Sequence, residues 1–144
     1  VFSASRGHGA QLNDKRIRVS QRTRLQEAVL GTGIPPGAVP LHLDAYMAML
    51  KDFTRVCRAI RRAGSAALDL AYVAAGRTDG FWEFALQPWD IAAGTLIVRE
   101  AGGFVGDFNG GDDFMRTGNI IAANPKCFRL MVQQIRPHLE SPAG

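Results

Sequence analysis

The sequence predicts an α/β protein in which a mixed or largely parallel sheet is flanked by helices. From Ser65 onward, stretches with apolar residues at steps of three and four alternate with short stretches of period two. Glycine and proline fall at the joints between them, as at Gly76, Pro88, Gly102-Gly103 and Pro125. A chain of 144 residues that is 47% hydrophobic is also long and apolar enough to build a packed core.

Taken in order, VFSASRGHGAQLNDKRIRVS holds apolar-alternating pieces on either side of a turn at Leu12-Asn13-Asp14, a β-hairpin that must pair with a larger sheet. Ala28 to Ile34 reads as a buried strand, broken by Pro35, Pro36 and Gly37. A long helix is expected from about Leu43 to Arg62. Its apolar face is Tyr46, Met49, Leu50, Phe53, Val56, Cys57 and Ile60, and its opposite side carries a basic stripe of Lys51, Arg55, Arg58 and Arg62. Ser65 to Ala75 is a second helix, stopped by Gly76. Thr78 to Leu86 alternates as a strand, with Phe81, Glu83 and Ala85 on one side and Trp82, Phe84 and Leu86 on the other. Pro88 opens a helix from Trp89 to Ala101, which Gly102-Gly103 closes. Phe104 to Phe108 and Asn119 to Ala123 are strands on either side of a loop at 109–113, and Pro125 starts a terminal helix that ends near Leu139.

Composition narrows the function classes. The most apolar region, Ala66 to Ala75, contains Asp69 and Tyr72 and is too short to span a bilayer, so a soluble protein is expected. Cys57 and Cys127 lie far apart with no metal-ligand spacing, which leaves neither a disulfide framework nor a zinc signature; both are expected as buried thiols of a cytoplasmic protein in a reducing compartment. The net charge of +4 permits an anionic ligand, although such an excess is commonly a solvated surface. GTGIPPG lacks the third glycine and the following helix of a dinucleotide fingerprint, and no Walker lysine motif occurs. His8, His42 and His138 show neither metal-ligand spacing nor a nucleophile elbow, which argues against a Ser–His–Asp hydrolase.

Three polar features sit beside turns that a layered α/β sheet would bring together. In Gly64-Ser65-Ala66, Ser65 reads either as a helix N-cap or as part of a backbone segment whose free N–H groups bind ligand oxygens. Glu83, on a strand among aromatic residues, needs a partner, and a salt bridge to one of the arginines is the simpler expectation. Asp90 lies in the first turn of its helix, where the macrodipole favours negative charge and where a carboxylate is also aimed as a ligand for a hard metal such as magnesium.

Together these pieces form a pattern. Trp89-Asp90-Ile91-Ala92-Ala93-Gly94 followed by Glu100-Ala101-Gly102-Gly103 resembles the second signature of the inositol monophosphatase family. The resemblance extends upstream through Gly64-Ser65-Ala66, Ala75-Gly76-Arg77, Asp79-Gly80 and Glu83, and downstream through Thr117-Gly118-Asn119 and Asn124-Pro125. It is nearest to the family's bacterial SuhB-type branch, in its GSAALDLAYVAAG helix, its PWD triplet and its VREAGG ending.

The resemblance implies a layered αβαβα fold and magnesium-dependent, lithium-sensitive hydrolysis of myo-inositol monophosphate to inositol and phosphate. It implies that Asp90 is the catalytic metal ligand, that Glu83 hydrogen-bonds inositol hydroxyls, and that Gly64, Ser65 and Ala66 contact the substrate. Ser65 stands where the family commonly has threonine and keeps the hydroxyl. The family's other metal ligands come from a Gly-Glu-Glu-type segment and an Asp-Pro-x-Asp-Gly-Thr motif, and neither occurs here. The chain, which begins at Val1, is therefore expected to be the C-terminal half of a member. Residues 1–40 would be the tail end of a large antiparallel sheet with its connection, and 41–144 the C-terminal α/β subdomain. By itself it would be inactive without the missing N-terminal half; the complete enzyme would be a homodimer. The alternative is a transcription-associated protein, a ribosomal RNA antitermination partner that binds RNA polymerase or RNA through the basic stripe.

Overall fold

Four layers, helix, sheet, helix and sheet, make up the structure, a computed structural model that describes residues 1–33 and 39–139, with backbone alone for 39–41. The outer sheet is antiparallel and has three strands in sequential order: β1 (Phe2–Ala4), β2 (Ala10–Leu12) and β3 (Lys15–Ile17). The expected hairpin is β2–β3, turning on Asn13 and Asp14 at φ 51° and 66°, the left-handed pair that a two-residue hairpin loop requires. Its support comes from β1 and from below. Glu100 accepts the N–H groups of Gly7 and Gly9 at 3.0 and 2.8 Å, and those two bonds hold its carboxyl below the usual range.

The inner sheet is mixed, in the order β5-β4-β6-β8-β7. Strands β4 (Val29–Gly33), β5 (Ala59–Arg61) and β6 (Gly80–Glu83) run parallel, while β8 (Ile120–Ala123) is antiparallel to both β6 and β7 (Phe104–Gly106). Period-two alternation gives each strand two apolar faces, and both are covered. Leu30, Trp82, Ile121 and Ala123 meet Tyr46, Met49 and Phe53 of α1 (Val39–Val56) and Met131 and Ile135 of α5 (Pro125–Ile135). Phe81, Ile120 and Ala122 meet Leu70 and Val73 of α2 (Ala66–Ala74) and Ile91 and Val98 of α3 (Pro88–Glu100), with Ala10 of the outer sheet beyond. Each large side chain so buried contributes roughly 1.5–3 kcal/mol before entropy is counted. No helix among the described residues is long and apolar enough to cross a membrane.

Several expectations need correction. The first long helix begins at Val39, a turn before Leu43, and stops at Val56, and the residues read as its last turn form β5, because the Arg58 and Ala59 N–H groups turn to the Ala28 carbonyl and the chain pairs with β4. The continued spacing through Ile60 was coincidental. The basic stripe is consequently split: Lys51 and Arg55 lie on α1, while Arg58 and Arg62 flank the edge strand. Strand β6 ends at Glu83, and Ala85 adopts φ 55°. That bend reverses the alternation and sends Leu86 to the side of Phe81, away from Trp82 and Phe84. The Ala85 N–H is met by the Asn119 side chain at 3.0 Å and the Leu86 N–H by the Gly118 carbonyl at 2.9 Å, which offsets the strain of a left-handed alanine. A four-residue helix, α4 (Phe114–Thr117), stands in the segment after the 109–113 loop. Cys127 is buried as expected, but Cys57 is only half-buried. The expected strand end at Ile34 and the breaker at Pro35-Pro36-Gly37 lie outside the described residues.

Between β3 and β4 the chain crosses the N-terminal edge of the parallel strands as a strap. Val19 donates to the Ala101 carbonyl at 3.0 Å, the Ser20 hydroxyl to Asp79, and the Asn124 amide to Ser20 Oγ at 2.9 Å and to the Arg22 carbonyl at 3.1 Å. Asp79 also accepts the Val29 N–H at 2.7 Å. Its carboxylate therefore serves the fold, at the opposite end of the strands from the features described next.

Candidate functional site

The parallel strands β4, β5 and β6 end on one edge of the inner sheet, and α2 and α3 both begin there. The chain leaves β5 at Arg61 and reaches the α2 cap at Ser65, and it leaves β6 at Glu83 and reaches Pro88 of α3. This is the end of an open α/β sheet at which ligands collect, because helix N-termini leave backbone N–H groups without partners.

Glu83 is the last residue of β6 and only 7% exposed. It is opposite Gly33 in register, and a Cβ at Gly33 would lie 2.7 Å from its Oε1, so the close approach of the carboxylate needs glycine there. Burial, then the negative charges of Asp69 and Asp90, push its carboxyl up to about 7, with Arg62 acting in the opposite sense. The salt bridge expected from the sequence is not made among the described residues; Arg62 influences Glu83 without pairing. A carboxyl that titrates near neutrality can donate to a hydroxyl when protonated and accept from one when ionised.

Ser65 is the N-cap of α2, its Oγ accepting the Leu68 N–H at 3.3 Å. The capping role is thus real, and it leaves the segment open: Gly64 has φ +84° and, among the described residues, nothing within 4 Å of where a Cβ would stand. Asp90 is the third residue of α3. Its Oδ2 accepts the Gln87 N–H at 3.2 Å, and its own N–H donates to the Gln87 carbonyl at 2.9 Å. Capping takes one carboxylate oxygen and no described hydrogen bond takes the other. The side chain is half-buried beside the exposed Trp89.

Asp69 belongs to the same cluster, although nothing in the sequence reading singled it out as a site residue. It lies in the first turn of α2, 3% exposed, and burial pushes its carboxyl up to about 6 while the Ala63 N–H favours the charged form. The signal was available as one carboxylate inside the apolar run AALDLAYVA. The edge thus gathers Asp69, Glu83, Asp90 and Arg62 next to two helix starts, a set suited to hydroxyls and to a cation.

A hard divalent cation fits Asp90 as one oxygen ligand. Among the described residues no group of three or more histidine, cysteine or carboxylate side chains could hold a metal by itself. Other chemistries find no support in the geometry. Among the described residues, His42 stacks on Phe84 at 4.7 Å and His138 contacts Asp52, and neither is hydrogen-bonded to a nucleophile. Burial pushes the Cys57 thiol up to about 12 and the Cys127 thiol up to about 11, so neither is a thiolate near neutrality.

Comparison with known proteins gives a consistent picture. Residues 1–140 match the family model described as "Inositol monophosphatase family". The chain is 53% identical over 139 residues to the Nus factor SuhB of Pseudomonas aeruginosa, covering 96% of this chain and 51% of that protein, and 50% identical to the Nus factor SuhB of Escherichia coli, covering 96% and 52%. It spans about half the length of the curated relatives it matches. Among solved structures, the suhB protein of Bartonella henselae superposes with a TM-score of 0.89 at 51% identity, over 94% of this chain and 51% of that one. An inositol monophosphatase from Anabaena superposes equally well, at 0.89 and 35% identity, over 94% and 54%.

Proposed function

The chain belongs to the inositol monophosphatase family, and from that membership we propose that the full-length protein hydrolyses myo-inositol monophosphate to inositol and phosphate with magnesium. The observation that carries the reading is the convergence of Asp90, Glu83 and Gly64-Ser65-Ala66 on one edge of the sheet.

Phosphate monoesters hydrolyse very slowly without a catalyst. Magnesium supplies charge neutralisation and a more acidic water when bound. Asp90, aimed by α3 and steadied by the Gln87 N–H, would be one of its ligands. Glu83, behind it, would take a hydroxyl of the polyol, donating or accepting as its proton allows. The open backbone at Gly64 and the first turn of α2 would face substrate oxygens, with the helix dipole favouring negative charge there. The described residues assemble no complete ligand set, so the activity is assigned to the full-length protein. Family membership further supports a lithium-sensitive, cytoplasmic homodimer.

Phosphate release from inositol monophosphate by the full-length protein, with and without magnesium, tests this reading. Asp90→Asn is expected to lower kcat/KM by 100-fold or more. Near-wild-type turnover in that variant would remove the metal assignment.

A second reading is favoured by the names of the relatives that are 50–53% identical, which are Nus factors. Here the protein would act as a transcription partner of RNA polymerase or RNA. The same variant separates the two roles, since Asp90→Asn should abolish hydrolysis and leave a partner role intact.

A further inference from the structure

Asp69 is a buried carboxylate that helix formation does not need, because Ser65 already caps α2. Its surroundings are specific. A Cβ at Gly31 would lie 2.8 Å from its Oδ1, just as one at Gly33 would lie 2.7 Å from Oε1 of Glu83. Positions 31 and 33 share a face of β4, so the two carboxylates stand side by side along one strand, roughly 7 Å apart in rise. On its other side Asp69 lines a cavity of about 390 Å³ with Arg61, Arg62, Ala63 and Tyr72, and the Ala63 N–H favours its charged form. Asp69 thus adjoins both the turn that carries Gly64 and the carboxyl of Glu83.

We propose that Asp69 is a positioning residue of the substrate site, which from within α2 anchors the Arg62–Gly64 turn and faces Glu83 along β4, so that turn and carboxyl meet the hydroxyls of a polyol phosphate as one unit. This rests on the reading of Glu83 and Gly64 as substrate contacts. The charged groups around Glu83 are Asp69 from α2, Asp90 from α3 and Arg62 from the turn after β5, while β4 presents the glycines. Of these, Asp69 alone also borders Ala63 across the cavity from outside the turn. Replacing it by asparagine keeps the shape and an acceptor for Ala63 but removes the charge that favours a protonated Glu83.

The test uses the full-length protein, with inositol 1-phosphate and p-nitrophenyl phosphate as substrates. Asp69→Asn is expected to raise KM for inositol 1-phosphate fivefold or more, with kcat changed less than twofold and KM for p-nitrophenyl phosphate unchanged. In a Glu83→Gln background it should add nothing. Asp69→Ser, smaller and still an acceptor, is the second variant and should behave alike. Equal losses on both substrates, or effects that multiply with those of Glu83→Gln, would show a structural role and overturn the proposal. If the wild-type protein turns over no inositol phosphate, the functional reading fails. Carbon-13 titration of the Glu83 carboxyl then decides separately: a lower midpoint in Asp69→Asn supports the pairing, and an unmoved one ends it.

Discussion

Glu83 couples the fold to pH at the scale of one residue. Its carboxyl sits at about 7 in the folded chain against an ordinary 4.5. Below the ordinary value both folded and unfolded forms hold the proton and pH has no effect. As pH rises from there, the unfolded chain releases a proton that the folded chain keeps, so stability falls until about pH 7, by about 3 kcal/mol at most. Glu83→Gln, neutral throughout, should therefore melt with the wild type at pH 4 and several degrees above it at pH 8, in thermal scans without divalent cations. A difference that does not change with pH would mean that the proton on Glu83 is not the cause. Asp90 gives the opposite lesson, since one carboxylate both caps α3 and keeps an oxygen for other work. The sequence left those roles as alternatives, but they are compatible.

Helices α2 and α3 could be read closely at the scale of the element because their signals are local. Ser65, Pro88 and the glycines beyond each end act within a turn of where they stand. Ser65→Ala should accordingly cost about 0.5–1 kcal/mol in urea denaturation, a modest amount for an exposed cap with a 3.3 Å bond, and Ser65→Thr close to nothing. A cost well above 2 kcal/mol would mean that Ser65 does more than cap. Strand β5 was illegible for the converse reason. Three residues with apolar spacing that suits a helix became a strand because Ala28 and β4 offered hydrogen bonds that the sequence around Arg58 does not reveal. The chain likewise bends at Ala85 because Asn119 and Gly118, distant in sequence, accept the N–H groups of Ala85 and Leu86.

At the scale of the whole molecule, the outer sheet and the inner layers are joined by the strap and by Glu100. Asp79 holds the strap to β4 through the Ser20 hydroxyl and the Val29 N–H. Asp79→Ala leaves that partly buried N–H without a partner and should cost about 2–3 kcal/mol in denaturant unfolding, with faster amide exchange at 18–29. Stability and exchange near wild type would show that the remaining contacts of the strap suffice. The sequence by itself determined the α/β class, the starts of α2, α3 and α5, the outer hairpin and the family pattern, all of which rest on periodicity, caps and short motifs that act locally. Only the tertiary structure decided where β5 and β6 end, that Glu83 stands over Gly33 without an arginine partner among the described residues, and that Asp69 stands beside it over Gly31. Those outcomes depend on which distant backbone groups and side chains meet at one sheet edge, and burial then sets the charge each carboxylate can hold.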